Sequence, residues 1–231
     1  MSEIFLVRHA QASFGTDNYD ELSDIGWQQS QLLGEYFFSR NGEFDRIISG
    51  TLNRHKETLE GMLECFPDNV VWDENEDLNE YHFSELYIAY EQCYPEDEDI
   101  ITCRASDHKD ARAFYRVVRS ALLAWSNNEF DSLVTESWHD FLLRTEKNLN
   151  DICKSVSSGE NILILSSGGV ISMMLKHILE LSAHQAIGLN MQIRNSSISH
   201  CYYSNGDLSF AGFNGLPHLD TLENRHLITL S

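Results

Sequence analysis

Positive charge is scarce in this chain: 16 lysines and arginines stand against 36 aspartates and glutamates in 231 residues, for a formal charge of −20. Self-contained recognition of nucleic acid is thereby disfavoured, because neutralising phosphates needs a basic face. An anionic membrane surface is disfavoured on the same ground. Long apolar runs are also missing, and nothing approaches the roughly 20 residues of a membrane span. The run Ile4 to Val7 is too short for a secretory signal and has no positive charge before it, so a cytoplasmic protein is expected. The five cysteines (Cys65, Cys93, Cys103, Cys153 and Cys201) are odd in number, widely spaced and without a C-x-x-C pair. Neither a disulfide framework nor a cysteine zinc site is expected, and reduced thiols are. Only three prolines occur, with no repeat or low-complexity linker, so residues 1–231 read as a single domain. What is present is globular in composition, 42% hydrophobic and 11% aromatic. Net charge does not forbid a small anion in a locally basic pocket.

Strand and helix patterns alternate along the chain. Ile4 to Val7 reads as a short buried strand and Ser23 as the N-cap of a helix carrying Ile25, Leu32, Leu33, Tyr36 and Phe37. Phe44 to Ser49 reads as a second strand, Leu52 to Phe66 as a helix, and Val70 to Trp72 as a third strand. Residues from about 73 to 140 break the rhythm with two acidic stretches, Asp73 to Glu80 and Glu96 to Asp99, read as solvated faces. A helix marked by Phe114, Val117, Ala121 and Trp125 follows, then a long one over Glu136 to Val156. Asn161 to Ser166 is the strongest strand pattern and runs into Gly168-Gly169 and an apolar helix ending near Leu181. Two strands flank the Asn205-Gly206 turn, and His226 to Leu230 reads as an edge strand. The alternation predicts an α/β fold, a three-layer sandwich with a mostly parallel sheet, and ligands in such sheets bind beyond the carboxyl ends of the strands.

Candidate chemistry collects at those ends. Arg8-His9 follows the first strand, where an imidazole can attack phosphorus and a guanidinium can neutralise phosphoryl oxygens. The dipeptide itself is weak evidence, since Arg54-His55 and Arg225-His226 also occur. Arg54 opens the helix after the second strand, where it can join the helix amides in holding an anion. Ser166-Ser167-Gly168-Gly169 is a strand-to-helix turn suited to an anion. It is not G-x-S-x-G, because Leu165 occupies the first glycine's place, so a serine hydrolase through Ser167 is poorly supported. Glu80 is either one more solvated carboxylate or, if its loop folds over a phosphate site, a proton donor.

In order and spacing these pieces resemble the histidine phosphatase superfamily, with its phosphoglycerate-mutase-like fold. Leu6 to Ser13 is similar to the segment holding an arginine and the nucleophilic histidine. Leu22 to Gln29 resembles L-[ST]-x-x-G-x-x-Q, Ser49 to Thr58 resembles S-x-P-L-x-R-A-x-x-T, and Leu78 to Phe83 resembles the segment of the acidic proton donor. Asn161 to Ile171 resembles the strand that ends in S-H-G-G. The resemblance covers nearly the whole chain and implies His9 and Glu80 as catalytic residues and Arg8, Arg54, Ser167 and Gly168 as phosphate-binding ones. It implies no metal and no cofactor, a small phosphorylated substrate, and residues 73–140 as a cap over the site.

Three departures stand out: Ala10 for a glycine, Gly15 for an asparagine that helps hold phosphate, and Ser167 for the second core histidine. A serine hydroxyl donates one hydrogen bond but is no cation at neutral pH. Losing one charge-assisted contact costs about 1.5–3 kcal/mol, and by analogy with an oxyanion donor about 10²–10³ in rate. The reading is a metal-independent phosphatase working through a phosphohistidine, weakened at Ser167 and less suited to a mutase. The alternative is a catalytically silent anion-binding or regulatory protein on the same fold. His82 and His218, each beside a matched segment, are the candidates to replace the missing histidine, and Ser167→His is expected to raise turnover.

Overall fold

The computed structural model describes residues 1–13, 20–40, 43–67, 70–106 and 110–230. Strand β1 (Ser2–Arg8) leads to α1 (Asp24–Ser39), whose N-cap Ser23 accepts a hydrogen bond from the Gly26 amide. Then come β2 (Arg46–Ser49), α2 (Asn53–Leu63), the two-residue β3 (Asp73–Glu74) and a 3-10 turn over Glu76–Leu78. Helices α3 (Phe83–Cys93), α4 (Glu98–Ala105), α5 (Ala111–Ser126) and α6 (Trp138–Lys154) precede β4 (Asn161–Ser166). Helices α7 (Gly168–Leu179) and α8 (Ala183–Asn190) and the hairpin β5 (Ile198–Ser204) and β6 (Asp207–Gly215) complete the order. Among the described residues no helix is long and apolar enough to cross a membrane.

The sheet runs β3-β2-β4-β1-β5-β6, parallel from β3 to β1 and antiparallel beyond. Central strands are buried on both faces, which is why β1 and β4 are continuous apolar runs. Side chains alternate between the faces: Ile4, Leu6, Ile162 and Ile164 meet a core shared with α3 to α8. Val7, Leu163 and Leu165 meet Leu33 and Phe37 of α1 and Leu59 and Met62 of α2. The result is three layers. Register then sets the site: Arg8 lies opposite Ser166, and Ser49 opposite Leu165. The carboxyl ends of β1, β2 and β4 therefore release Arg8-His9, Ser49-Gly50 and Ser166-Ser167 side by side.

The Asn205-Gly206 hairpin is as the sequence predicts, with both residues at positive φ. Two strand expectations need correction. The third strand is Asp73–Glu74, not Val70 to Trp72; as an edge strand with both side chains exposed it has no apolar pattern to announce it. Residues 226–230 form no strand; a 3-10 turn spans Arg225–Leu227, and Leu227 instead closes a small core with Leu216 and Leu219.

Candidate functional site

His9 emerges from β1 with its amide bonded to the Ser166 carbonyl at 2.9 Å. Its ring is buried, and Nδ1 lies 2.7 Å from the Ala10 carbonyl. A carbonyl only accepts, so Nδ1 carries the hydrogen and Nε2 keeps its lone pair. Burial first, then the charges of Arg54 and Arg8 and the neighbouring His55, hold this imidazole well below its ordinary pKa. The ring is thereby held in its neutral form, with the Nε2 lone pair free of a proton. Thr58 locks the turn, accepting from the Ala10 amide at 3.0 Å while donating to the Arg54 carbonyl at 2.6 Å.

Both arginines are braced. Nη1 of Arg8 donates to the carbonyls of Ile193 at 2.5 Å and Leu230 at 2.6 Å. Arg54 sits in the first turn of α2, whose N-cap Leu52 offers no side-chain bond. Asp20 supplies one from a distance: Oδ2 accepts from the Asn53 amide at 2.8 Å, and Oδ1 meets Arg54 Nη1 at 2.5 Å. One carboxylate thus caps the helix and orients the guanidinium.

Glu80 arrives on a loop clamped from two sides. Arg144 of α6, paired with Glu136, donates to the carbonyls of Asp77 at 2.7 Å and Asn79 at 2.9 Å. Asn79 makes two hydrogen bonds to Thr51. The Glu80 carboxyl then accepts from the Gly169 amide at 2.9 Å, at the start of α7. An added Cβ on Gly169 would lie 2.1 Å from Glu80 Oε1, so only glycine permits this approach. Burial raises the carboxyl pKa, against the opposing pull of the Gly169 amide, Arg54 and Arg8.

Ser167 is the N-cap of α7 but makes no side-chain capping bond. Its Oγ lies 2.8 Å from His55 Nε2, and both residues are wholly buried. The rings of His55 and His9 are 5.5 Å apart. Gly168 follows, close enough to Arg8 that a Cβ there would lie 3.8 Å from its Nε. Arg8, His9, Arg54, Glu80, Ser167 and Gly168 are therefore brought to one place.

Neither histidine candidate for the missing imidazole is with them. His82 is exposed at the start of α3. His218 bonds Ser196 Oγ at 2.8 Å and faces Tyr36, and burial pushes its pKa down to about 3. Gly15 lies outside the described residues. Sequence reasoning passed over Asp20, Arg144 and His55. The first two left no local signal, but His55 stands where the S-x-P-L-x-R-A-x-x-T pattern has alanine. Among the described residues no three His, Cys, Asp or Glu side chains group as metal ligands.

Comparison with known proteins agrees with this fold. A 67-residue stretch is 34% identical to the mitochondrial serine/threonine-protein phosphatase PGAM5 of Xenopus laevis, covering 28% of this chain and only 24% of that protein. The adenosylcobalamin/alpha-ribazole phosphatase of Salmonella typhimurium is 23% identical over 190 residues, 78% of this chain and 81% of its own. In fold, the chain resembles a phosphoserine phosphatase mutant of Entamoeba histolytica solved with phosphoserine, at a TM-score of 0.64 and 18% identity, over 95% of this chain and all of that one. The family model for the histidine phosphatase superfamily (branch 1) matches residues 4–215, nearly the full sheet and every strand end just described, and the chain belongs to that superfamily.

Proposed function

We propose that the protein is a metal-independent phosphatase of small phosphate monoesters, working through a phosphohistidine on His9. The observation that carries this reading is the His9 ring itself. It is neutral, its Nδ1 hydrogen is committed to the Ala10 carbonyl, and its Nε2 lone pair stands in the field of two arginines. In the first step Nε2 bonds to phosphorus and the ester P–O bond breaks. Arg8, Arg54, the Ser167 hydroxyl and the Gly168 amide hold the phosphoryl oxygens. Glu80, whose carboxyl pKa burial pushes up, gives its proton to the leaving oxygen. In the second step the Glu80 carboxylate takes a proton from water, whose oxygen attacks phosphorus and releases inorganic phosphate and free His9. Residues 73–140 form the cap that delivers Glu80 and bounds the substrate. A relative named for alpha-ribazole phosphatase and a structural neighbour solved with phosphoserine support a small, singly phosphorylated substrate.

Intact-mass analysis after incubation with acetyl phosphate or p-nitrophenyl phosphate tests the proposal. A phosphoryl adduct and turnover are expected, both lost in His9→Ala. Binding of inorganic phosphate with neither adduct nor turnover across a panel of esters would instead identify a silent anion-binding protein.

A further inference from the structure

Residues 227–230 lie beyond the end of the family match at residue 215, yet they reach Arg8. Leu227 joins Leu216 and Leu219 in a small core, and Ile228 packs on it together with Ile25 and Leu32 of α1. A chain of side-chain hydrogen bonds then ties the segment to the turn that carries His9. The Gln11 amide donates to Gln29 Oε1 at 2.8 Å. Gln29 Nε2 donates to the Leu227 carbonyl at 2.6 Å and to Thr229 Oγ1 at 2.9 Å. The Thr229 hydroxyl donates to Asn195 Oδ1 at 2.9 Å, and Asn195 Nδ2 donates to the His9 carbonyl at 3.4 Å. Gln29 and Asn195 are buried, so a broken link would strand polar groups away from water. The chain starts on Gln11 and ends on His9, with Thr229 at its middle.

Leu230 follows directly. Its carbonyl and that of Ile193 both accept from Arg8 Nη1, at 2.6 and 2.5 Å. The guanidinium is a rigid planar fork, so two fixed acceptors at Nη1 set its plane and the direction of its Nε–Nη2 edge. That edge carries two parallel N–H bonds, the pair that grips two oxygens of one phosphoryl group. It faces the start of α7: a Cβ added to Gly168 would lie 3.8 Å from Nε. Ile193 is placed by the sheet, because β5 starts beside β1 with Ile198 opposite Val7. Leu230 belongs to no strand, and Thr229 holds it, through its hydroxyl and through its carbonyl, which accepts from the Asn195 amide at 3.2 Å. We propose that Thr229 is a positioning residue for the phosphoryl group, acting through Arg8: it pins residues 227–230 to Gln29 and Asn195, and the Leu230 carbonyl then aims the Nε–Nη2 edge of Arg8 at the phosphoryl oxygens. The proposal rests on the phosphatase reading above.

Kinetics with p-nitrophenyl phosphate and dissociation constants for inorganic phosphate test it, with thermal unfolding to confirm that each variant is folded. Thr229→Val keeps the shape and removes both side-chain hydrogen bonds; it is expected to lower kcat/KM about tenfold and to weaken phosphate binding by a similar factor. Thr229→Ser keeps the hydroxyl and should return to within about threefold of the wild type. A chain ended at Leu227 lacks the Leu230 carbonyl altogether and should lose about 10²-fold in kcat/KM, the scale of one lost oxyanion donor. The decisive comparison is with Arg8→Ala. Because Thr229 acts through Arg8, adding Thr229→Val to Arg8→Ala should weaken phosphate binding by no more than about twofold. A merely structural role predicts the same loss in both backgrounds, and that additivity would overturn the proposal. So would a wild-type rate in Thr229→Val, or a shortened chain that works faster, which would make the segment an obstacle to Arg8. A wild type that binds phosphate but turns over no ester defeats the phosphatase reading alone, and the affinity cycle then decides the role of Thr229. A wild type that binds no phosphate overturns both.

Discussion

At the scale of single residues, the site sets two protonation states against their usual values. Burial and the adjacent arginines depress the pKa of His9, so the neutral nucleophile persists to lower pH than an ordinary imidazole would. Burial raises that of Glu80, so the acid form persists to higher pH than an ordinary carboxyl would. For kcat/KM the signs follow directly. Activity rises with pH through the depressed His9 value, because the base form is needed, and falls through the raised Glu80 value, because the acid form is needed. The profile is a bell whose rising limb belongs to His9 and whose falling limb belongs to Glu80. Glu80→Gln, which cannot titrate, should flatten the falling limb and lower kcat by about 10²–10⁴-fold with esters of poor leaving groups. Aryl phosphates, which leave without a proton, should lose less. A falling limb that survives unchanged in Glu80→Gln would assign it to another group.

At the scale of elements, the arrangement depends on how loops are tied to the sheet. The Glu80 loop contributes a single fully buried apolar anchor, Leu78, and is held chiefly by polar contacts. The largest of these is Arg144, reaching from α6 to two carbonyls of the loop while paired with Glu136 and stacked over Phe141 at 4.9 Å. Hydrogen bonds to a charged donor are worth about 1.5–3 kcal/mol each. Arg144→Met should therefore speed amide exchange across residues 76–81 and lower kcat/KM by about tenfold, with exchange in β1 and β4 unaltered; a loop that exchanges no faster would show that Arg144 is dispensable. Much of the element plan was legible beforehand, because burial on both faces writes itself as apolar runs in β1 and β4, and the Asn205-Gly206 turn demands positive φ. Arg8, His9, Arg54, Glu80 and Ser167 were legible as spaced motifs. Helices α3, α4 and α8 were not. The acidic stretch near Glu96 is in fact the capped start of α4, where Asp97 accepts from two amides and carboxylates suit the helix dipole. Helix α8 begins at a Ser182–Gln185 capping box just beyond the Glu180 C-cap of α7, where the predicted apolar pattern had already ended near Leu181, and only two of its residues, Ala186 and Ile187, are buried. Asp20 acts on partners 33 and 34 positions away, and Arg144 on loop carbonyls 65 and 67 away, relations that no local periodicity encodes.

At the scale of the whole molecule, the charge of −20 surrounds a pocket that holds Arg8 and Arg54. Asp73 and Glu76 are exposed on the segment that leads to Glu80, while Glu74 is paired with Lys56 at 2.9 Å; with 36 acidic against 16 basic side chains, the long-range field on an approaching phosphate is expected to be negative. Close contacts inside a buried site are little affected by salt, whereas the long-range field decays over a Debye length of about 10 Å at 0.1 M. Added sodium chloride should therefore raise kcat/KM for a dianionic ester by about two- to fivefold between low and physiological ionic strength, with kcat nearly constant. Phosphocholine, whose ammonium offsets one phosphate charge, should respond less than phosphoserine, whose ammonium is cancelled by its carboxylate and leaves the phosphate dianion uncompensated. The ordering is the decisive part, because specific chloride inhibition would depress both substrates alike while screening separates them by charge. A fall in kcat/KM with salt that is steepest for phosphoserine would mean that the net field at the mouth is positive, set by the arginines and not by the acidic surface around them.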